Sequence, residues 1–161
     1  MTALPRTGIG LDVHAWATEG DDRPLWLGCL EWPGERGIEG HSDGDVVAHA
    51  LVDALLSAAQ LGDLGRLVGV GQKKYDGVSG AQLLREAREA VEAEGFVIGN
   101  AAAQLVGQSP KMGPRRAEAE QVLSGILGAP VSVAATTTDH MGFTGREEGR
   151  AAVATAVVWR A

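Results

Sequence analysis

A single cysteine, Cys29, among 161 residues excludes an intrachain disulfide and any cysteine-rich zinc cluster, and fits a reducing compartment. Basic charge is scarce as well: 14 Lys and Arg against 21 Asp and Glu leave a net charge of −7. With no basic stripe, the chain lacks the footprint of a binder of polymeric nucleic acid. No apolar run approaches the ~18 residues of a membrane span. The opening "MTALPRTGIG" has no signal-peptide core, so no membrane association is expected. Internal repeats and linkers are also missing. What these absences leave is one soluble domain over residues 1–161, expected in the cytoplasm and long enough for a single core.

Glycine, by contrast, is plentiful: 23 residues is about twice the usual share. Without a Gly-X-Y period, the excess points to tight turns and close backbone approach to ligands. "TGIGLDVHAW" alternates as a half-buried strand, with Ile9, Leu11 and Val13 on one side and Gly8, Gly10, Asp12 and His14 on the other. "RPLWLGCLEWPGERG" reads as a hairpin segment closed near Pro33-Gly34. Ser42 and Asp45 resemble a capping box opening a helix from about 43 to 60. A glycine-rich, aperiodic loop follows over "LGDLGRLVGVGQKKYDGVSG". Leu83, Ala87, Ala90 and Val91 stripe a helix that Gly95 ends. A strand in "FVIGNAAAQLVGQ" runs into the turn "SPKMGP". Ala119, Val122, Leu123, Ile126 and Leu127 stripe the next helix. "APVSVAATTT" and "GRAAVATAVVWR" are the last strands. Strands and helices interleave, as in an α/β-type domain.

Two of the four histidines fall in "GHSDGDVVAH". Asp12 and His14 leave one face of their strand about 6.6 Å apart along it, and His49, early in the next helix, could add a third ligand. One carboxylate and two imidazoles leave a tetrahedral position open, as in a catalytic zinc site; manganese or cobalt could take the same set. Asp53, four residues after His49, is placed to orient that ring. An edge Asp-x-His beside an unrelated helical histidine is the alternative. His41 and Ser42 would bring an imidazole and a hydroxyl beside the ion, or be a solvated histidine and a cap. Thr136, Thr137, Thr138 and Asp139 suit a phosphate and its magnesium, or form a β-prone run and a turn.

In order, "DVH", "HSDGDVVAHALVDALLSAAQLGDLG", "GQSPKM" and "ATTTDHMGFTGREEG" resemble the 2-C-methyl-D-erythritol 2,4-cyclodiphosphate synthase family, from about Arg6 to Trp159. The resemblance implies an α+β sandwich: a mixed four-stranded sheet with helices packed on one face, plus a β-hairpin, in a chorismate-mutase-like trimer with active sites between subunits. It implies a lyase that cyclises 4-diphosphocytidyl-2-C-methyl-D-erythritol 2-phosphate and releases CMP. Asp12, His14 and His49 would hold zinc. His41 and Thr137 would stabilise the phosphoryl transition state, with Ser42 beside them. Asp63, Leu64 and Gly65 would meet the methylerythritol. The turn from Gly107 through Lys111 and Met112 to Gly113, on a neighbouring subunit, would read cytosine. Thr136, Thr137, Thr138 and Asp139 would hold the diphosphate and magnesium. Phe143 and Arg146 would face an isoprenoid diphosphate on the threefold axis.

The chain departs from the family pattern in three places. "LVGVGQKKYDG" replaces a phenylalanine and an acidic segment, so Lys73 and Lys74 are expected to reach the 2-phosphate or to stay solvated. Asp139 stands for a glutamate and His140 for a lysine. Rival readings are a zinc-dependent nucleotide-diphosphate hydrolase and a non-catalytic isoprenoid-binding relative.

Overall fold

A computed structural model describes residues 4–69 and 75–161. Its strands are β1 (Arg6–Ala15), β2 (Leu25–Leu27), β3 (Leu30–Trp32), β4 (Phe96–Val106), β5 (Val131–Thr136) and β6 (Gly149–Arg160). Its helices are α1 (Val46–Ala59), α2 (Leu64–Val68), α3 (Gly80–Ala93), α4 (Arg116–Leu127) and the single turn α5 (Gly142–Gly145). β1, β6, β4 and β5 form the main sheet in that order. β6 runs antiparallel to both β1 and β4, and β5 runs parallel to β4. β2 and β3 make a separate hairpin. This is the mixed four-stranded sheet plus hairpin that the family resemblance implies.

The helices cover one face only. α1 is buried nearly all round, as a helix at the centre of a core must be. It lies on β1 and β6 and packs against α3, which also touches β4. Its fit to β1 depends on two glycines: a Cβ at Gly8 would strike the Ala54 carbonyl, and one at Gly10 the Ala50 carbonyl. The glycine face of β1 is therefore the packed one, while Ile9 and Leu11 are 65% and 60% exposed. The open face continues across the sheet through residues paired with these, Thr155 opposite Ile9 and Val153 opposite Leu11.

Several local expectations change. The hairpin closes at Gly28-Cys29, both at positive φ (65° and 59°), the signature of a two-residue type I′ turn; Pro33-Gly34 lies beyond it. α1 begins at Val46 rather than near Asp43, and its cap is Asp45, not Ser42. The segment after α1 is not wholly loop, because Asp63 caps the short helix α2 by accepting from the Arg66 amide. Lys73 and Lys74 lie outside the described residues.

Candidate active site

β1 and α1 bring together the three residues chosen as metal ligands. Asp12, His14 and His49 each offer a donor atom, and these atoms lie within 4.8 Å of one another. Asp12 Oδ2 is 3.1 Å from His14 Nε2 and 3.1 Å from His49 Nδ1. The imidazoles are set edge to face, with centroids 5.5 Å apart. His14 Nδ1 is 2.7 Å from the Glu39 carbonyl, which can only accept, so that nitrogen carries the proton. Nε2 then faces Asp12 with a lone pair unless a second proton or a shared cation intervenes. His49, 2% exposed, has its Nε2 3.2 Å from Ser42 Oγ, which leaves Nδ1 for the common point. An anionic oxygen and two imidazole nitrogens converging there, each ring anchored through its other nitrogen, fit a divalent metal.

The electrostatics agree. Burial pushes the Asp12 carboxyl up, but hydrogen bonds and charge from His14 and His49 outweigh it and hold it at about 2. His14 is raised, chiefly by its hydrogen bond to Asp12, against the opposing effect of burial.

The loop between β3 and α1 is clamped by its aspartates. Asp45, fully buried, accepts from the amides of Gly28, Val47 and Ala48 through Oδ1 and from Cys29 through Oδ2. Burial and the nearby Asp43 push its carboxyl up, with the amide donors opposing. Asp43 accepts from the Asp45 amide (3.0 Å) and the Gly80 amide (2.6 Å), tying the loop to the start of α3. His41 is thereby left exposed, on the wall of a hollow of about 340 Å³ that Ser42, Asp43, Arg23 and Trp26 also line. Asp53 does not orient His49, as its position in the sequence had suggested. Its Oδ1 accepts from the Leu64 amide at 2.7 Å, so it holds Asp63, Leu64 and Gly65 beside α1 instead.

A second cluster forms where β4 and β5 end. Gly107, Lys111, Met112 and Gly113 line a pocket of about 220 Å³ together with Thr136 and Thr137. The Gly107 amide donates to the Thr136 carbonyl at 3.0 Å, and Met112 is buried. Thr137 Oγ1 is 3.3 Å from Asp139 Oδ1. Thr138 turns away from this pocket, with its hydroxyl bonded to the Met141 carbonyl and to Thr144. Gln108 Nε2 meets His140 Nδ1 at 2.8 Å. Phe143 and Arg146 are exposed at α5, where Arg146 pairs with Glu148 at 3.0 Å.

His14, Gly107 and Thr136 all lie at one end of the sheet, since His14 pairs with Arg150 and Val106 with both Ala151 and Thr136. They occupy opposite edges, however: β1 carries the metal cluster and β5 the threonines, three strand spacings or about 14 Å apart. Sequence reasoning missed Glu39, Asp43 and Arg150, and it placed Asp45 inside the helix rather than at its cap. The aspartates have a signal in the Asp-x-Asp spacing before a helix, whereas a backbone carbonyl and a buried arginine have none.

The chain is similar to known proteins along its length. The YgbB family model matches residues 5–159. A 2-C-methyl-D-erythritol 2,4-cyclodiphosphate synthase of Acidothermus cellulolyticus is 54% identical over 163 aligned positions, covering 100% of this chain and 99% of that protein. The bifunctional IspDF of Campylobacter jejuni superposes with a TM-score of 0.92 at 34% identity, covering 99% of this chain and 43% of that longer one. IspF of Plasmodium falciparum, in its CDP complex, gives 0.82 at 26% identity, covering 97% and 96%. With its fold and nearly its whole length in common with these proteins, the chain belongs to the YgbB family of 2-C-methyl-D-erythritol 2,4-cyclodiphosphate synthases.

Proposed function

We propose that this protein cyclises 4-diphosphocytidyl-2-C-methyl-D-erythritol 2-phosphate to 2-C-methyl-D-erythritol 2,4-cyclodiphosphate, releasing CMP, in the non-mevalonate route to isoprenoids. The observation that carries the reading is the convergence of Asp12, His14 and His49 beside the His41–Ser42 loop, in a chain matched to this family along its length. The 2-phosphate oxygen attacks the β-phosphorus, the bond from that phosphorus to the bridging oxygen breaks, and the electron pair leaves with CMP. Nucleophile and electrophile belong to one molecule, so the protein's task is to fold the substrate and neutralise charge.

Zinc held by Asp12, His14 and His49, or manganese or cobalt in its place, would polarise a phosphate oxygen. His41 and Thr137 donate toward the transferring phosphoryl group, with Ser42 beside them. Asp63, Leu64 and Gly65 take the methylerythritol hydroxyls. The backbone from Gly107 to Gly113, with Lys111 and Met112, reads cytosine; the CDP complex of the Plasmodium falciparum relative supports a cytidine-diphosphate ligand. Thr136, Thr137 and Asp139 would hold the diphosphate with its magnesium, while Thr138 braces this turn through Met141 and Thr144.

The two half-sites lie at opposite edges of one sheet, which favours a closed head-to-tail ring in which one copy's β1 edge meets the next copy's β5 edge. We read this assembly as a homotrimer, with Phe143 and Arg146 turned toward an isoprenoid diphosphate on its axis. No helix among the described residues is long and apolar enough to cross a membrane, and we assign the enzyme to the cytoplasm. Phosphorus NMR of a reaction with substrate, zinc and magnesium tests the assignment: cyclic diphosphate plus CMP is expected. A linear product would make the protein a hydrolase, and no product a binding protein.

A further inference from the structure

Arg150 stands next to both half-sites and has no assigned task. It is 1% exposed, it pairs across the sheet with His14 on β1, and its other neighbour, just past the end of β4, is Gly107. Its Nε and Nη2 are buried and have no hydrogen-bond partner among the described residues. The guanidinium rests on the Trp16 ring at 4.8 Å, and burial lowers its pKa to about 10, with Glu147 and Glu35 the nearby charges that oppose this. A Cβ at Gly107 would coincide with Arg150 Nη1 and crowd Cδ and Cζ. A side chain at position 107 would therefore have to push the guanidinium off its place on Trp16. Buried charges without hydrogen bonds are costly to a fold, so a stability role explains this arginine poorly.

We propose that Arg150 is a positioning residue of the nucleotide pocket: stacked on Trp16, its guanidinium is the floor on which Gly107 seats, and it fixes the start of the turn from Gly107 to Gly113. The same loop is joined to the segment before β6 by Ser109 and Glu147 (3.4 Å), so floor and rim both come from the β6 side. This inference rests on the nucleotide reading above.

The test is CMP calorimetry and steady-state kinetics on the zinc-loaded protein. Arg150→Leu should weaken CMP binding and raise KM about 10-fold, with kcat changed less than about 3-fold. Its Tm should stay level or rise by about 2–4 °C, because an unpaired buried charge has been removed. Gly107→Ala should weaken CMP binding through its clash, and Gly107→Ala/Arg150→Leu should recover part of that loss. Arg150→Lys, which keeps the charge but not the planar seat, should fall between wild type and the leucine variant, and it carries the test should the leucine variant not fold. Wild-type CMP affinity in Arg150→Leu, or in Arg150→Lys in its place, would overturn the inference, as would a double variant no better than Gly107→Ala. A wild-type protein that bound no CMP would overturn the nucleotide reading and this inference with it.

Discussion

Asp45 collects four backbone amides on one buried carboxylate, two from the β2–β3 turn and two from the first turn of α1. Removing it would leave these donors unsatisfied inside the core. Asp45→Ala should therefore lower stability by on the order of 3 kcal/mol, more than a surface cap alone contributes. A chemical denaturation midpoint equal to wild type would refute this. His14 permits a prediction of opposite signs. Its pKa is raised above 6.5 in the folded, metal-free protein, chiefly by Asp12. The protonated pair therefore adds stability that is fully present below about 6.5 and lost as pH rises through the folded value. Asp12, held at about 2 against 3.8, loses its contribution only as pH falls below about 3.8, so it stays constant over this range. Zinc needs neutral His14, so zinc affinity should climb from pH 6 to pH 8 while the metal-free protein loses Tm relative to a His14→Asn variant. Parallel trends in the two measurements would contradict this assignment of the proton.

At the scale of elements, α1 and β1 approach each other backbone to backbone. Gly10 faces Ala50 and Ala54, and any Cβ there meets helix backbone, not the flexible end of a side chain. Gly10→Ala should cost about 3 kcal/mol and disturb zinc binding, because Asp12 and His49 sit on the two elements forced apart. Unchanged melting and full zinc occupancy in that variant would show the contact to be slack. The helices were legible from their apolar period: Leu83, Ala87 and Val91 are buried on α3, and Ala119, Leu123 and Leu127 on α4. Alternation on β1 gave two faces but not which one packs, because glycines that admit a helix look the same in sequence as glycines in a turn. The hairpin turn was misplaced for a related reason: it is held at Gly28-Cys29 by Asp45, 16 residues or more further along, a contact no local pattern encodes.

For the whole molecule, the uncovered face of the sheet is decisive. Ile9, Leu11 and Val13 stand exposed in a row on β1, and an apolar face of this kind calls for another protein surface. Light scattering of the wild type should return three copies, and Leu11→Glu should give a smaller species without turnover, though the zinc ligands remain. A catalytically active monomer would end the shared-site reading. The sequence alone determined the chemical vocabulary: the Asp-x-His on a strand, the helical histidine, the order of the motif blocks and the family they announce. Residue types and short spacings are local properties, and local chemistry can be read from a string. Only the tertiary structure decided that Asp53 serves Leu64 rather than His49, that the glycine face of β1 is the packed one, and that Arg150 lies under Gly107. Each depends on contacts between elements distant in the chain, where shape complementarity and the demand for hydrogen-bond partners select among arrangements that sequence spacing leaves equally open.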